Sequence, residues 1–209
     1  ERVRLWSRQM LAILHVDLHV LGEPPAQGPL LVVCNHISWL DILVLNAAQP
    51  TRFVSKADVR GWPILGALIT GAGTLYIERE SRRDAMRVVH HMAERLSLGE
   101  VLAVFPEGTT GDGREMLPFH ANLLQAAVQA DAAVQPVGLR FTDQATGTTS
   151  FAPSYIGDET LLGSIWRTLS APAIEAVVTY GEPETPQGRD RRAWALHLQA
   201  VVDGLRQQG

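Results

Sequence analysis

Residues 30–41 decide the fold, and they read Leu30-Leu31-Val32-Val33-Cys34-Asn35-His36-Ile37-Ser38-Trp39-Leu40-Asp41. The apolar run at 30–34 predicts a buried strand, and the apolar residues that follow Asp41 predict a helix. Ser38 and Asp41 match the Ser-x-x-acid capping pattern, which indicates a helix that starts at Ser38. A strand that ends in a histidine and turns into a helix places the imidazole at a sheet edge, where ligands of α/β proteins bind.

The spacing of His36 and Asp41 leaves two interpretations open. An aspartate in the first turn of the helix lies close enough to fold back onto His36, and an imidazole held by a carboxylate on one nitrogen offers the other as a general base. The alternative is a satisfied loop histidine beside an aspartate that only caps the helix. Residues 35–41 by themselves favour this second interpretation.

Strand and helix patterns alternate along the rest of the chain. The predicted strands cover 16–20, 30–34, 52–55, 75–77, 101–105, 134–139 and 174–180. The predicted helices cover 2–14, a segment from Ser38, 83–98, 119–130, 161–169 and 190–207, with a short broken helix and loops at 57–73. Apolar strands that alternate with helices predict an α/β fold with a mainly parallel central sheet flanked by helices on both faces. No repeat or linker interrupts this order, so we expect a single domain over residues 1–209.

Composition limits the classes of function. The chain has 209 residues and a net charge of −4, which gives no global basic signal for nucleic acid. Its one cysteine, Cys34, rules out an internal disulfide framework. No apolar run reaches the ~18 residues of a membrane span, but the chain begins at Glu1 rather than Met, and we expect an upstream segment to have been removed. Residues 2–14 combine arginines and Trp6 with an apolar face, which is typical of a helix in a membrane interface and equally of one packed on its own domain.

Three charged or polar side chains follow predicted strands: His36, Arg79 and Glu107. Because the carboxyl ends of parallel strands lie along one edge, these residues can share a crevice. Phe105-Pro106-Glu107-Gly108-Thr109-Thr110-Gly111 adds backbone amides and hydroxyls suited to anions, and Arg79 offers the planar fork that phosphate or carboxylate requires. An ion pair would explain Arg79 alone, and a salt bridge or a cap would explain Glu107 alone. Three such sites together favour a functional crevice.

Two boxes resemble those of the glycerolipid acyltransferases, a family that includes 1-acylglycerol-3-phosphate acyltransferases and related lysophospholipid acyltransferases. They are Asn-His-x-x-x-x-Asp at 35–41 and Phe-Pro-Glu-Gly-Thr at 105–109, about seventy residues apart. Ile77-Glu78-Arg79, the apolar strand around Pro136, and Lys56 also match the family pattern. The resemblance covers about residues 30–140, and the two boxes in this order are far more specific than either alone.

The resemblance implies transfer of a fatty acyl chain from a thioester, on coenzyme A or acyl carrier protein, to the hydroxyl of a lysolipid. In this interpretation His36 is the general base and Asp41 orients it, as the aspartate does in a Ser-His-Asp triad, with no acyl-enzyme, metal or other cofactor. The partners are the lysolipid, the thioester donor and a membrane surface on the cytoplasmic side of the inner membrane, to which the protein is bound peripherally or anchored upstream of residue 1. The substrate-binding residues implied are Lys56, Arg79, Glu107, Gly108, Thr109 and Thr110.

One departure from the family pattern concerns the acceptor. Members that use phosphate-bearing acceptors often have Arg after Glu-Gly-Thr, whereas this chain has Thr110. A hydroxyl contributes one neutral hydrogen bond where Arg supplies a charged fork. A lyso-aminolipid or another lysophospholipid therefore becomes a candidate acceptor beside lysophosphatidic acid. The candidates for lining an acyl-chain tunnel are Trp39, Trp62, Leu65 and Trp166.

Other classes fit the sequence less well. A serine hydrolase would need Gly-x-Ser-x-Gly after a strand, and the chain has none. The pairs His15/His19 and His90/His91 do not match a zinc-binding helix, and Gly71-x-Gly73 lacks the rest of a nucleotide-binding loop. A membrane-surface lipid-binding module would not need His36 and Asp41 together, and a thioesterase would release thiol without an acceptor.

Overall fold

The computed structural model describes residues 2–56, 75–77 and 82–208. Its strands are β1 Val16–Leu21, β2 Leu30–Cys34, β3 Arg52–Lys56, β4 Leu75–Ile77, β5 Val101–Val104, β6 Ala133–Asp143 and β7 Ile174–Tyr180. Its helices are α1 Arg2–Ile13, α2 Leu40–Ala48, α3 Arg82–Ser97, α4 Gln125–Gln129, α5 Leu161–Ser170 and α6 Arg191–Arg206, with a 3₁₀ turn Ala121–Leu124 before α4. The predicted broken helix and loops at 57–73 lie outside the described residues.

Two predicted helices differ from the structure. The helix predicted over 119–130 is a 3₁₀ turn followed by little more than one α-helical turn. The helix predicted from Ser38 begins at Leu40, and before it the Asp41 N–H donates to the Ser38 carbonyl three residues back at 3.2 Å, while the Ser38 hydroxyl accepts the Leu40 N–H at 3.2 Å. The reciprocal half of the capping pattern is present, since the Ser38 N–H donates to the Asp41 carboxylate at 2.9 Å.

The seven strands form one sheet in the order β1-β7-β6-β2-β5-β3-β4. Every neighbouring pair is parallel except β6 and β7, which run antiparallel. The prediction of a mainly parallel sheet is confirmed. Strand β6 runs past the predicted residue 139 because residues 140–143 pair with 174–177 of β7.

Apolar layers cover both faces of the sheet, as predicted. In β2, Leu30, Val32 and Cys34 contribute to one core, while Leu31 and Val33 contribute to the other. Helices α1, α2 and α5 pack on the first core, and α3, α4 and α6 pack on the second. Both faces of the central strands are therefore buried, which explains the uninterrupted apolar run at 30–34.

A glycine in β6 sets the position of α6. A Cβ atom on Gly138 would lie 2.3 Å from the backbone nitrogen of Arg206, so only glycine lets this end of α6 approach the sheet so closely. From there the Arg206 guanidinium donates to the carbonyl oxygens of Gly113 at 2.8 Å and Arg114 at 2.9 Å. The packing of α6 on β6 thus holds the loop that follows the Phe105–Gly111 box.

Candidate active site

His36 and Asp41 form a hydrogen-bonded pair where β2 leads into α2. The distance from His36 Nδ1 to Asp41 Oδ2 is 2.7 Å. Asp41 is fully buried in the first turn of α2, while the imidazole is 18% exposed. The prediction that Asp41 folds back onto His36 is confirmed, and the imidazole remains partly exposed.

The contacts of Asp41 decide which ring nitrogen carries the proton. Its Oδ2 atom also accepts the backbone N–H of Ile37 at 2.7 Å and of Ser38 at 2.9 Å. An oxygen that accepts two N–H donors carries no proton of its own, so His36 Nδ1 donates to it. In the neutral imidazole, Nε2 then keeps the lone pair of a base.

Phe105 fixes the plane of the imidazole. The two rings stack with their centroids 3.9 Å apart and their planes 7° apart, and Phe53 lies behind Phe105 with a centroid distance of 5.7 Å. Phe105 comes from the end of β5 and Phe53 from β3, so three neighbouring strands contribute to the orientation of one side chain.

Glu107 is close to His36, but it contacts the backbone instead of facing outward. Its Oε1 accepts the His36 N–H and its Oε2 accepts the Leu117 N–H, both at 2.7 Å. The carboxylate is buried, and with both oxygens bonded to the main chain it ties the loop after β2 to the loop after β5. Glu107 therefore holds the backbone of the proposed base, and its predicted contact with an acceptor head group stays a prediction.

The environment of Glu107 gives a pH prediction. Burial raises its pKa above the ordinary value of 4.5, against the lowering effect of the Leu117 and His36 N–H donors. The Glu107 carboxyl therefore binds a proton more tightly in the folded protein than in the unfolded chain. Its contribution to stability is largest below pH 4.5 and is lost as the pH rises through the raised pKa. We expect the difference in unfolding free energy between the wild type and Glu107→Gln (wild type minus variant) to fall as the pH rises through this window.

Parallel urea unfolding of the two proteins at closely spaced pH values measures this difference. Titrating groups that do not interact with Glu107 contribute equally in both proteins, so their contributions cancel. A difference that rises with pH, or that does not change, would contradict the prediction.

The rest of the Glu107 box closes around the His36 loop. Gly108 has a positive φ of 74°, which suits glycine, and the Gly111 N–H donates to the His36 carbonyl at 2.8 Å. Thr109 is exposed. The Thr110 hydroxyl donates to the Tyr155 carbonyl, which leaves only its acceptor capacity for a ligand. The structure therefore gathers 107–111 beside His36, as predicted.

Two predicted site residues cannot be placed in the same way. Arg79 lies outside the described residues. Lys56 is the last residue of β3 and pairs through its backbone with Ile77, and its side chain is outside the description.

Asn35 is the positioning residue that the sequence interpretation missed. Its buried amide donates to the Leu139 carbonyl and accepts the Leu139 N–H, both at 2.8 Å. This pair of bonds continues the β2–β6 ladder beyond the end of β2 and fixes the point at which the chain turns toward His36. The available signal was an amide directly after five apolar residues, where a buried polar group needs a partner.

Two tryptophans predicted to line an acyl-chain tunnel have different surroundings. Trp39 is buried, and its Nε1–H donates to the Ser164 hydroxyl of α5 at 3.1 Å. Trp166 is 73% exposed, so the prediction that it lines an interior tunnel is wrong. Trp62 and Leu65 lie outside the described residues.

Comparisons with known proteins agree on one family. The model of a family described as Acyltransferase matches residues 15–140. A lyso-ornithine lipid O-acyltransferase of Pseudomonas aeruginosa is 39% identical over 199 residues, which cover 95% of this chain and 76% of that protein. A 1-acyl-sn-glycerol-3-phosphate acyltransferase of Neisseria meningitidis is 41% identical over 166 residues, which cover 78% of this chain and 64% of that protein.

A solved structure shares the fold. The crystal structure of the 1-acyl-sn-glycerophosphate acyltransferase PlsC of Thermotoga maritima matches with a TM-score of 0.70 and 21% identity, over 99% of this chain and 78% of that one. At this identity the match concerns the fold alone, whereas the family model spans both motif boxes. The family match and the relatives of about 40% identity show that this chain belongs to the acyltransferase family and is an enzyme of that class.

Proposed function

We propose that the protein transfers a fatty acyl chain from a thioester to the hydroxyl of a lysolipid, with His36 as general base and Asp41 as its orienting carboxylate. The observation that carries this proposal is the 2.7 Å hydrogen bond between His36 Nδ1 and an Asp41 oxygen that also accepts two backbone N–H groups. In the neutral imidazole this arrangement places the lone pair on Nε2, and it stabilises the imidazolium that forms when Nε2 accepts a proton.

The reaction needs one proton to move twice. As the acceptor hydroxyl attacks the thioester carbonyl, its proton passes to His36 Nε2 and a new C–O bond forms. Collapse of the tetrahedral intermediate breaks the C–S bond, and the imidazolium can return the proton to the leaving sulfur. A thiol leaves readily because its ordinary pKa is about 8.5, so the base is needed most in the attack step.

Direct transfer, without an acyl-enzyme, fits the side chains around His36. Ser38 is fully buried, and its hydroxyl oxygen accepts the Leu40 N–H. Cys34 is buried as well, and burial together with the nearby charges of Asp41 and Glu107 raises the pKa of its thiol. Neither side chain is placed to act as a nucleophile, which supports attack by the acceptor's own hydroxyl.

For the acceptor we propose a lyso-aminolipid, with lysophosphatidic acid as the second candidate. Thr110 replaces the arginine that suits a phosphate, and its hydroxyl hydrogen is used on Tyr155. Two lyso-ornithine lipid O-acyltransferases, of Pseudomonas aeruginosa and Brucella abortus, match over 95% and 97% of this chain. The match to the Neisseria meningitidis glycerophosphate enzyme covers 78%. We propose that Arg79, Lys56 and Thr109 contribute to binding of the substrates, and that the donor is acyl-CoA or acyl carrier protein.

Because lysolipids and their products are amphiphiles, we also propose that the enzyme works at a membrane surface, on the cytoplasmic side of the inner membrane. Among residues 2–56, 75–77 and 82–208, no helix combines the length and apolar character needed to cross a bilayer.

Thiol release tests the proposal directly. The full chain is mixed with one of two donors, palmitoyl-CoA or palmitoyl acyl carrier protein. The acceptor is lyso-ornithine lipid, lysophosphatidic acid, another lysophospholipid or none, and the lipid product is measured in parallel. We expect release only with an acceptor, fastest with lyso-ornithine lipid. Release without any acceptor would indicate a thioesterase, and lipid binding without release from any pair would indicate a binding module. Preference for lysophosphatidic acid would overturn the acceptor assignment while leaving the reaction intact.

A further inference from the structure

Helix α5 buries small polar side chains and exposes large apolar ones, the reverse of an ordinary surface helix. Its buried side chains are Ser164 and Thr168, at 0% and 1% exposure, while Leu162 and Trp166 are 77% and 73% exposed. Leu162, Trp166 and Leu169 follow the i, i+4, i+7 spacing and share one face, which we call the α5 stripe. A surface helix normally presents its small polar residues to water and buries residues of this size.

The buried hydroxyl groups of α5 form hydrogen bonds in that orientation. The Ser164 hydroxyl accepts the Nε1–H of Trp39 at 3.1 Å, and the Thr168 hydroxyl donates to the Ser164 carbonyl at 2.8 Å. Leu161 and Ile165 pack beside them on the core shared with α1 and α2. The Thr168 bond lies within the helix, but the Ser164 bond reaches Trp39 in the core, so rotating the helix to bury the stripe would break the Ser164 bond and expose both hydroxyls to water.

The only charged side chain of α5 is used to hold a neighbouring loop. Arg167 donates to the carbonyl oxygens of Ala152, at 2.8 Å, and Ser154, and it forms a two-pronged ion pair with Glu159. Its charge is therefore neutralised beside the stripe. The segment that it holds brings two more exposed apolar side chains, Phe151 and Ile156.

We propose that the α5 stripe, with Phe151 and Ile156, is the surface through which this enzyme lies on a lipid bilayer. A helix with a large apolar face and a tryptophan, and without free charge on that face, inserts about 5–10 Å into the headgroup boundary. The inference names the membrane contact of the proposed function and rests on that function for its purpose.

Charge on the same side of the molecule agrees with an anionic lipid surface. Helix α1 covers the same face of the sheet as α5 and has exposed arginines at positions 2 and 8 and exposed apolar side chains at Leu5 and Ile13. From residue 2 to residue 16 the chain has no acidic residue. Basic residues near an apolar face add electrostatic attraction to anionic headgroups.

The stripe is also connected to the catalytic loop. The Trp39 to Ser164 hydrogen bond joins α5 to the turn before α2, and the Tyr155 N–H donates to the Ile37 carbonyl at 3.1 Å. A bilayer that receives the stripe therefore lies about one helix diameter, roughly 10 Å, from the turn before α2, which leads to the site where an acceptor hydroxyl has to arrive. A second copy of the chain fits less well, because five partly exposed side chains offer well under the ~800 Å² per partner of a standard protein interface.

Vesicle binding without substrate tests the inference. The full chain, the double variant Leu162→Gln/Trp166→Gln and the control Leu196→Gln are sedimented with vesicles of phosphatidylcholine containing one third phosphatidylglycerol. Leu196 is matched in residue type and is 69% exposed, but it lies on α6, on the opposite face of the sheet. We expect the double variant to lose about tenfold or more in partition coefficient, and the control to bind as the wild type does.

Two further readouts keep this test separate from the proposed function. With a short-chain acceptor below its micelle concentration, the double variant should release thiol at the wild-type rate, whereas with acceptor in vesicles it should be slower. If neither the wild type nor the variants release thiol but vesicle binding still depends on the stripe, the inference stands and the proposed function fails. The inference would be overturned if the double variant, shown by circular dichroism to be folded, bound vesicles as the wild type does. It would also be overturned if Leu196→Gln lost as much binding, or if the wild type formed a dimer that the double variant does not form. The single variant Leu169→Gln serves if the double variant does not fold.

Discussion

His36→Ala is expected to lower kcat by about 10²–10⁴, the range that a positioned general base contributes. Its ring is the group whose Nε2 faces the proton of the acceptor in the proposed reaction, and Asp41 and Phe105 hold it in one orientation. The substitution removes the base but leaves the backbone bonds to Glu107 and Gly111, which involve the main chain of residue 36. Initial rates of thiol release with and without acceptor, on protein whose circular dichroism matches the wild type, measure the effect.

His19→Ala is the matched control for that substitution. His19 also pairs with a carboxylate, Glu175, at 2.9 Å, but it lies on the edge strand β1 and its side chain is 56% exposed. Its loss should leave kcat unchanged. Free imidazole should partly restore the His36→Ala variant, because the missing group is a base and the His36 side chain is partly exposed in the wild type. If His36→Ala retained wild-type turnover, the general-base assignment would be wrong.

Asp41→Asn is expected to lower kcat by about 10²–10⁴ through the loss of charge alone. The amide oxygen of asparagine can occupy the place of Oδ2 and still accept the N–H groups of Ile37 and Ser38. The amide nitrogen then takes the place of Oδ1, which is buried and makes no hydrogen bond to the described residues. The loop keeps its shape while the imidazolium loses the carboxylate that stabilises it.

Asp190→Asn separates the loss of charge from the loss of a cap. Asp190 caps α6 by accepting the N–H groups of Arg192 at 2.8 Å and Ala193 at 2.9 Å, the same kind of contact that Asp41 makes, but without a histidine. Asparagine is an equally good cap, so this variant should keep its activity. The two variants are compared by kcat per folded molecule and by urea unfolding. Full activity in Asp41→Asn, with or without reduced stability, would show that Asp41 is only a cap.

The sequence was sufficient for the order of strands and helices and for the two motif boxes. Buried parallel strands have long apolar runs, so 30–34 and 101–105 could be recognised without knowing their neighbours. The meeting of His36 and Glu107 followed from the rule that parallel strands end along one edge. The spacing of five residues between His36 and Asp41 sufficed to predict their contact, because the first turn of a helix is a local structure.

Contacts between distant residues could not be predicted in this way. Glu107 accepts an N–H that is 71 positions away in the chain, and Asn35 bonds to a strand 104 positions away. Residue type shows that a buried carboxylate or amide needs partners, but not which backbone groups will reach it. The antiparallel pairing of β6 and β7 was unreadable for the same reason, since strand patterns carry no direction.

Helix α5 separates what the sequence predicts from what only the tertiary structure decides. Its apolar spacing was recognisable from residues 161–169, and periodicity correctly identified the side chains that share a face. Periodicity does not say what that face meets. Only the tertiary structure, in which Trp39 and the core receive Ser164 and Thr168, turns Leu162 and Trp166 outward. The chain by itself determined that a helix with an apolar stripe exists, and packing against the remainder of the fold decided that the stripe faces the exterior, because side chains distant in sequence compete for the same interior space.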